Sequence, residues 1–126
     1  MAVLALLREK CNSPGLVLTA QAYIILYMPT LKETVEFAEW RRALRSKDIK
    51  AERQVTARLA RLEHGLLGDV KSLKGGLFEA RIHAGPGRRI YFAWRGTAIL
   101  LLLCAGDKKT QPADIAAARR LNEEYD

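Results

Sequence analysis

GLFEARIHAGPGRRIYFAWRGTAILLLLC, residues 76 to 104, alternates apolar and polar residues through two arms and then turns almost wholly apolar. Side chains point to opposite sides along extended backbone, so Phe78, Ala80, Ile82 and Ala84 share one face of a strand and Glu79, Arg81 and His83 the other. The second arm repeats the pattern, with Ile90, Phe92 and Trp94 on one side and Arg89 and Tyr91 on the other. Gly85-Pro86-Gly87 between the arms reads as a hairpin turn. A three-residue turn closed by Ala84 and Arg88 sets His83 opposite Arg89 and Arg81 opposite Tyr91, so that four polar groups converge on one accessible face. After a second turn at Arg95-Gly96, Thr97 to Cys104 is apolar on both faces and predicts a central, buried strand.

Upstream of this region the hydrophobic period is helical. Phe37, Trp40 and Leu44 form one stripe, and Ala51, Val55, Leu59 and Leu62 form another. Asp48 is suited to cap the second helix at its N-terminus and Gly65 to end it in a left-handed conformation, which together suggest an αα-hairpin. Tyr23 to Leu31 is rich in β-formers and predicts a first strand, ended or placed at an edge by Pro29. A last helix is expected from about Thr110–Pro112 to Glu124, since proline is tolerated in a first helical turn.

Cys11 to Leu31 carries no charge, yet Asn12, Ser13, Pro14, Gly15 and Pro29 interrupt it, and its apolar portions are too short to span a bilayer. A secretory signal fits poorly, because the strongest apolar stretch, Tyr23 to Met28, lies beyond the Ala20-Gln21-Ala22 site where cleavage would fall. Residues 1–27 are therefore read as an N-terminal extension, poorly ordered or only partly in the sheet, ahead of one domain over residues 28–126. The two cysteines, Cys11 and Cys104, define neither a disulfide framework nor a metal site. Cys104 reads as a small buried hydrophobe, in keeping with a reducing cytosol.

The chain of 126 residues carries a net charge of +7, and half of its residues are hydrophobic (49%). Such a composition disfavours disordered, collagen-like and membrane classes. Residues 70 to 111 hold eight cations (Lys71, Lys74, Arg81, Arg88, Arg89, Arg95, Lys108, Lys109) against two anions (Glu79, Asp107), so +6 of the charge lies in a third of the sequence. A localised cationic surface is the footprint of a nucleic-acid or phosphate binder.

Arginines and lysines around a histidine and a tyrosine suit a phosphodiester. In RNA cleavage the 2′-hydroxyl attacks phosphorus, so a base must take its proton, cations must stabilise the phosphorane, and an acid must protonate the departing 5′-oxygen. No metal is needed for these roles, and the sequence has no HExxH motif, carboxylate cluster or closely spaced Cys/His ligands. His83 is the candidate for proton transfer, against the plainer alternative of a polar surface residue. Arg89 is the first candidate to grip the phosphate, or else a cross-strand partner of Glu79 or Asp107. Tyr91 would stack on a base or hold a hydroxyl, or would simply pack. Lys71, Lys74, Arg88 and Lys109 read as contacts that position an RNA backbone.

EFAEWRRAL (36–44), ARLARLEHGLLGDVKSL (57–73), GLFEARIHAGPGRRIYF (76–92) and LLLCAGDKKTQPADIAAAR (101–119) resemble, in order and spacing, the addiction-module killer subgroup of the RelE/ParE toxin superfamily, close to the HigB-like toxins. The resemblance runs from about Met28 to Asn122. It implies an α+β, RelE-like fold with two N-terminal helices packed on a small, mainly antiparallel sheet, followed by a C-terminal helix. It further implies a cytoplasmic bacterial toxin of a type II toxin–antitoxin system. The expected partners are a cognate antitoxin, typically a helix-turn-helix DNA-binding protein, and mRNA on the ribosome, with no membrane, metal or cofactor.

Many members cleave ribosome-bound mRNA without a metal. The family's basic positions fall on Arg81, Arg89 and Lys108, whereas His83 has no fixed counterpart. Arg88 stands where relatives usually carry an aromatic residue and Ala105 where glycine is common. Two other functions fit the same surface: inhibition of DNA gyrase in the manner of ParE, and noncatalytic binding of an antitoxin.

Overall fold

The computed structural model describes residues 28–96 and 98–125. Its five strands are β1 (Thr30–Glu33), β2 (Val70–Ser72), β3 (Leu77–Arg81), β4 (Arg89–Arg95) and β5 (Ile99–Gly106), and its helices are α1 (Val35–Lys47), α2 (Ile49–Glu63) and α3 (Gln111–Glu124). The sheet order is β1-β5-β4-β3-β2. Strands β2 to β5 form an antiparallel meander, while β1 lies parallel to β5 at the far edge. The α+β class with a mainly antiparallel sheet is therefore present. The helical pair, expected at the N-terminus, is instead mid-chain, entered from β1 and left towards β2. Within the described residues Pro29 stands just ahead of β1 and does not end it. The rest of the expected strand, the 1–27 extension and Cys11 lie outside the described residues.

Local chemistry explains each boundary. The Thr34 hydroxyl accepts from the Phe37 amide at 3.1 Å, capping α1, and donates to the Leu103 carbonyl of β5. One side chain thus starts the helix and fixes it to the central strand. Asp48 accepts from the Ala51 amide at 3.1 Å and starts α2, and Gly65 with φ +76° follows its end. At the other end of the chain the Arg95 guanidinium donates to the carbonyls of Asn122 and Tyr125, satisfying orphan acceptors at the close of α3.

The meander is sandwiched. On one face Phe37 of α1 and Val55, Leu59 and Leu62 of α2 pack on Ala80, Ile82, Ile90, Phe92, Leu100 and Leu102, with Trp40 and Trp94 half-buried at the margin. On the other, Ala118 and Leu121 of α3 cover Leu77, Tyr91, Ala93, Leu101 and Leu103. Strand β5 is buried on both sides, as its apolar run requires. Its pairing with β4 shifts by one residue between Tyr91 and Phe92, so Leu103 is the extra residue of a bulge. Leu103 and Cys104 therefore both turn towards α3, and Ala105 resumes the opposite face. Among the described residues no helix is long and apolar enough to cross a membrane.

The hairpin register differs from the expected one by two residues. Arg81 pairs with Arg89 and Glu79 with Tyr91, and the Ile82 amide donates to the Arg88 carbonyl at 2.9 Å. The loop is therefore five residues, His83 to Gly87, in place of three. Both Gly85 (φ +67°) and Gly87 (φ +73°) are left-handed, a conformation open to glycine without steric cost. A shift of two conserves parity, so Arg81, Arg89 and Tyr91 still share a face. His83, however, leaves the sheet and no longer stands opposite Arg89, and Tyr91 no longer stands opposite Arg81.

Candidate functional site

Glu79 sits at the centre of the polar face and is fully buried. Its Oε1 accepts from Arg81 Nε at 3.0 Å and its Oε2 from Gln111 Nε2 at 2.9 Å. Arg89 Nε lies 3.3 Å from the same Oε1 as an ion pair, and it has no hydrogen-bond partner among the described residues. Burial alone would raise the Glu79 pKa, but the hydrogen bonds from Arg81 and Gln111 and the charges of Arg89 and Arg81 outweigh it and hold the carboxyl below its ordinary value. The same hydrogen bond and charge raise the pKa of Arg81. Two guanidinium groups are thereby drawn together around one anion. Arg81 keeps a third of its side chain exposed (33%), against 12% for Arg89.

Gln111, at the start of α3, was not singled out in the sequence; the signal that identifies it is the GDKKTQ segment that carries it. Within that segment Asp107 Oδ1 accepts from the amides of Lys109 (2.8 Å) and Thr110 (3.2 Å), forming the turn that delivers Gln111 to Glu79. Gly106 leaves room for this turn, since a Cβ there would fall 1.8 Å from Asp114 Oδ2. Lys108 lies beside the hairpin loop; a Cβ on Gly87 would come 3.9 Å from the Lys108 Cβ. The basic residue after β5 and the hairpin end thus meet at one edge of the face.

Tyr91 occupies the row between Glu79 and Cys104 and is completely buried beneath α3. Its hydroxyl has no hydrogen-bond partner among the described residues, and burial, with Glu79 and Asp114 nearby, raises its pKa. A ring so placed packs the sheet and has no surface on which to stack a base. Burial likewise pushes the Cys104 thiol up to about 12, which leaves it an unreactive, half-buried side chain.

His83 projects from the loop with its side chain 75% exposed, and its Nε2 lies 2.6 Å from Asp69 Oδ2. Asp69 belongs to the GDVK segment, and the structure explains that motif. Arg58 of α2 is 2% exposed and donates to the carbonyls of Leu67 (2.6 Å), Asp69 (3.2 Å) and Arg81 (3.1 Å). Burial, reinforced by Arg61, lowers its pKa. Gly68 takes a left-handed conformation (φ +64°), and a Cβ there would press on Arg58 Nη1 at 3.2 Å. The buried arginine therefore fastens the 65–69 loop to the end of β3 and, with it, the carboxylate that His83 meets.

The remaining sequence candidates are dispersed. Lys71 is exposed on edge strand β2, opposite Glu79 and so on the arginine face. Lys74 (φ +68°) is in the β2–β3 turn, where its carbonyl accepts from Arg119. Arg88 lies on the α1 side, lining a groove with Trp40 and Leu44. Lys109 is exposed in the turn before α3. Arg81, Arg89 and Lys71 share the arginine face and Lys108 lies beside the hairpin loop, whereas Lys74 sits in the β2–β3 turn and the Arg88 groove runs from Trp40 and Leu44 to the turn after β5.

With this geometry in place, residues 42–125 match the family described as "Phage derived protein Gp49-like (DUF891)". An uncharacterized protein of Haemophilus influenzae is 40% identical over 94 residues, covering 75% of this chain and 93% of that protein. The match spans α2, all of the meander and α3, and hence every element that builds the arginine face. The chain belongs to the Gp49-like family, a RelE/toxin-like family of toxin–antitoxin systems.

Proposed function

We propose that the protein is the toxin of a type II toxin–antitoxin system and acts as a metal-independent endoribonuclease on ribosome-bound mRNA, restrained by a cognate antitoxin. The observation that carries this reading is the meeting of Arg81 and Arg89 on one Glu79 oxygen, with Lys108 at the adjoining loop. With Lys71 and Lys109 included, five cations against the carboxylates of Glu79, Asp69, Asp107 and Asp114 leave an excess of positive charge at a face edge, where a phosphorane gaining negative charge is stabilised more than its ground state. Arg81, the more exposed of the pair, is suited to grip phosphate oxygens in a bidentate manner, and Arg89 supplies fixed charge behind it. Lys71 and Lys109 hold the backbone on either side. Tyr91 serves the packing under this face.

Brief induction followed by primer extension tests the reading. Cleavage ends within translated codons are expected, and Arg89→Ala should abolish both these ends and growth arrest while the variant still folds. DNA damage without transcript cleavage would instead select gyrase inhibition. Coexpression with the product of an adjacent small helix-turn-helix gene should relieve the arrest.

A further inference from the structure

Between the end of α2, the 65–69 loop and the hairpin loop lies a groove of about 520 Å³. Arg61, Leu66, Asp69, Arg81 and His83 are among its lining residues. We propose that His83 and Asp69 form a proton-transfer pair serving this groove, with a nucleotide of single-stranded RNA seated between Arg61 and Arg81. The inference rests on the ribonuclease reading above and assigns its base to a place away from the buried Tyr91.

Three features distinguish this contact from an ordinary surface ion pair. The first is mounting: the backbone carbonyl of Asp69 is gripped by Arg58 at 3.2 Å and by the Arg81 amide at 3.1 Å, so the carboxylate is supported by a buried side chain and a strand. The second is polarity. A carboxylate accepts from Nε2, which assigns the ring proton to Nε2 and leaves the lone pair on Nδ1 for a substrate. The third is surroundings: besides Asp69 itself, the charged groups on the groove are Arg58 and Arg61 of α2 and Arg81 of β3, so a phosphate meets an excess of cations and the exposed imidazole together. Leu66, 61% exposed, offers an apolar surface for a base.

The step balances without a metal. Nδ1 of His83 takes the 2′-hydroxyl proton as the 2′-oxygen forms its bond to phosphorus. The bond from phosphorus to the 5′-oxygen breaks with its electron pair going to that oxygen, and solvent carries the imidazolium proton to it on the far side of the in-line displacement. The products are a 2′,3′-cyclic phosphate and a 5′-hydroxyl. Asp69 touches no reacting atom and is a positioning residue.

The experiment uses the full chain, 15N-labelled at histidine, with ribosome-bound mRNA as substrate. Parent protein should show the Nε2–H tautomer of His83. Asp69→Asn, whose amide nitrogen can donate to Nε2, should move the proton to Nδ1 and slow cleavage about 100-fold or more, the scale of a general-base contribution. RNA binding should stay within about twofold, because the removed group meets no phosphate. His83→Gln should cleave as slowly, and the double variant no more slowly than His83→Gln, since Asp69 acts only through the ring. An unchanged tautomer in Asp69→Asn, or additive losses in the double variant, would overturn the inference. A parent that cleaves RNA beside variants that cleave equally well would overturn it alone, whereas a parent that cleaves nothing would overturn the ribonuclease reading with it.

Discussion

Replacing Glu79 with alanine removes the one carboxylate shared by Arg81 and Arg89 and leaves the buried Arg89 Nε beside an empty space. Breaking a buried ion pair from one side costs about 3–5 kcal/mol, because the surviving charge has lost its compensation. Urea denaturation at neutral pH should read a loss of that order for Glu79→Ala. Glu79→Gln should lose less, since its amide oxygen still accepts one hydrogen bond. The same residue sets an acid limit. Its folded pKa is depressed, so its contribution is fully present above the ordinary glutamate value near 4.3 and is lost as pH falls below that towards the folded pKa. The midpoint of denaturation should therefore drop in this acid window more steeply for the parent than for Glu79→Gln. The buried Glu52, held low by Arg41, Thr56 and Arg45 against the effect of burial, adds to the fall in both proteins and leaves their difference to Glu79.

At the scale of elements, Thr34 joins α1 to β5. Thr34→Ala removes a helix cap and the bond to the Leu103 carbonyl, and a loss of about 1–2 kcal/mol is expected from thermal or urea unfolding. Serine should recover most of it, because it retains the hydroxyl. Asp48 marks a helix boundary in the sequence by the same capping chemistry, Gly65 by its left-handed backbone and Pro112 by its place in a first turn, and those boundaries stand in the structure. Strand parity was equally legible, and it is why Glu79, Arg81, Arg89 and Tyr91 share a face. Turn length was not. Gly-Pro-Gly fits a three-residue turn as well as the five-residue loop observed, and only the pairing of Ile82 with Arg88 decides between them. Nor does alternation say what covers a face. The Ala118–Leu121 stripe of α3 buries Tyr91, a tertiary choice that no local pattern in the hairpin encodes. The parallel pairing of β1 with β5 joins segments almost seventy residues apart and has no local signature either.

Among the described residues, the hydrophobic clusters on both sheet faces are built from Leu31 onward and enclose the sheet between α1, α2 and α3. A truncation beginning at Met28 should accordingly fold, with a melting temperature close to that of the full chain, as scanning calorimetry can check. Charge raises a different question, since eight cations between residues 70 and 111 suggest a broad basic stripe, but the fold scatters them. Arg95 caps α3, Arg88 faces α1, and Lys74 is in a turn fastened to Arg119. Lys71, Arg81, Lys108 and Lys109 remain to meet phosphates, with the largely buried Arg89 behind Arg81. Each phosphate neutralised on a single strand contributes about −0.7 to the slope of log affinity against log salt. Four contacts predict a slope near −3 and about a 50-fold weakening of RNA binding between 50 and 200 mM salt, whereas eight would predict a weakening of more than about 10³-fold. Fluorescence anisotropy on a short, unstructured RNA across that range distinguishes the two. Arg88→Ala should leave the slope unchanged, while Arg81→Ala should make it shallower by about 0.7. A slope nearer −6 for the parent would mean that RNA wraps around both faces of the sheet, and the site would then have to include the α1 side as well.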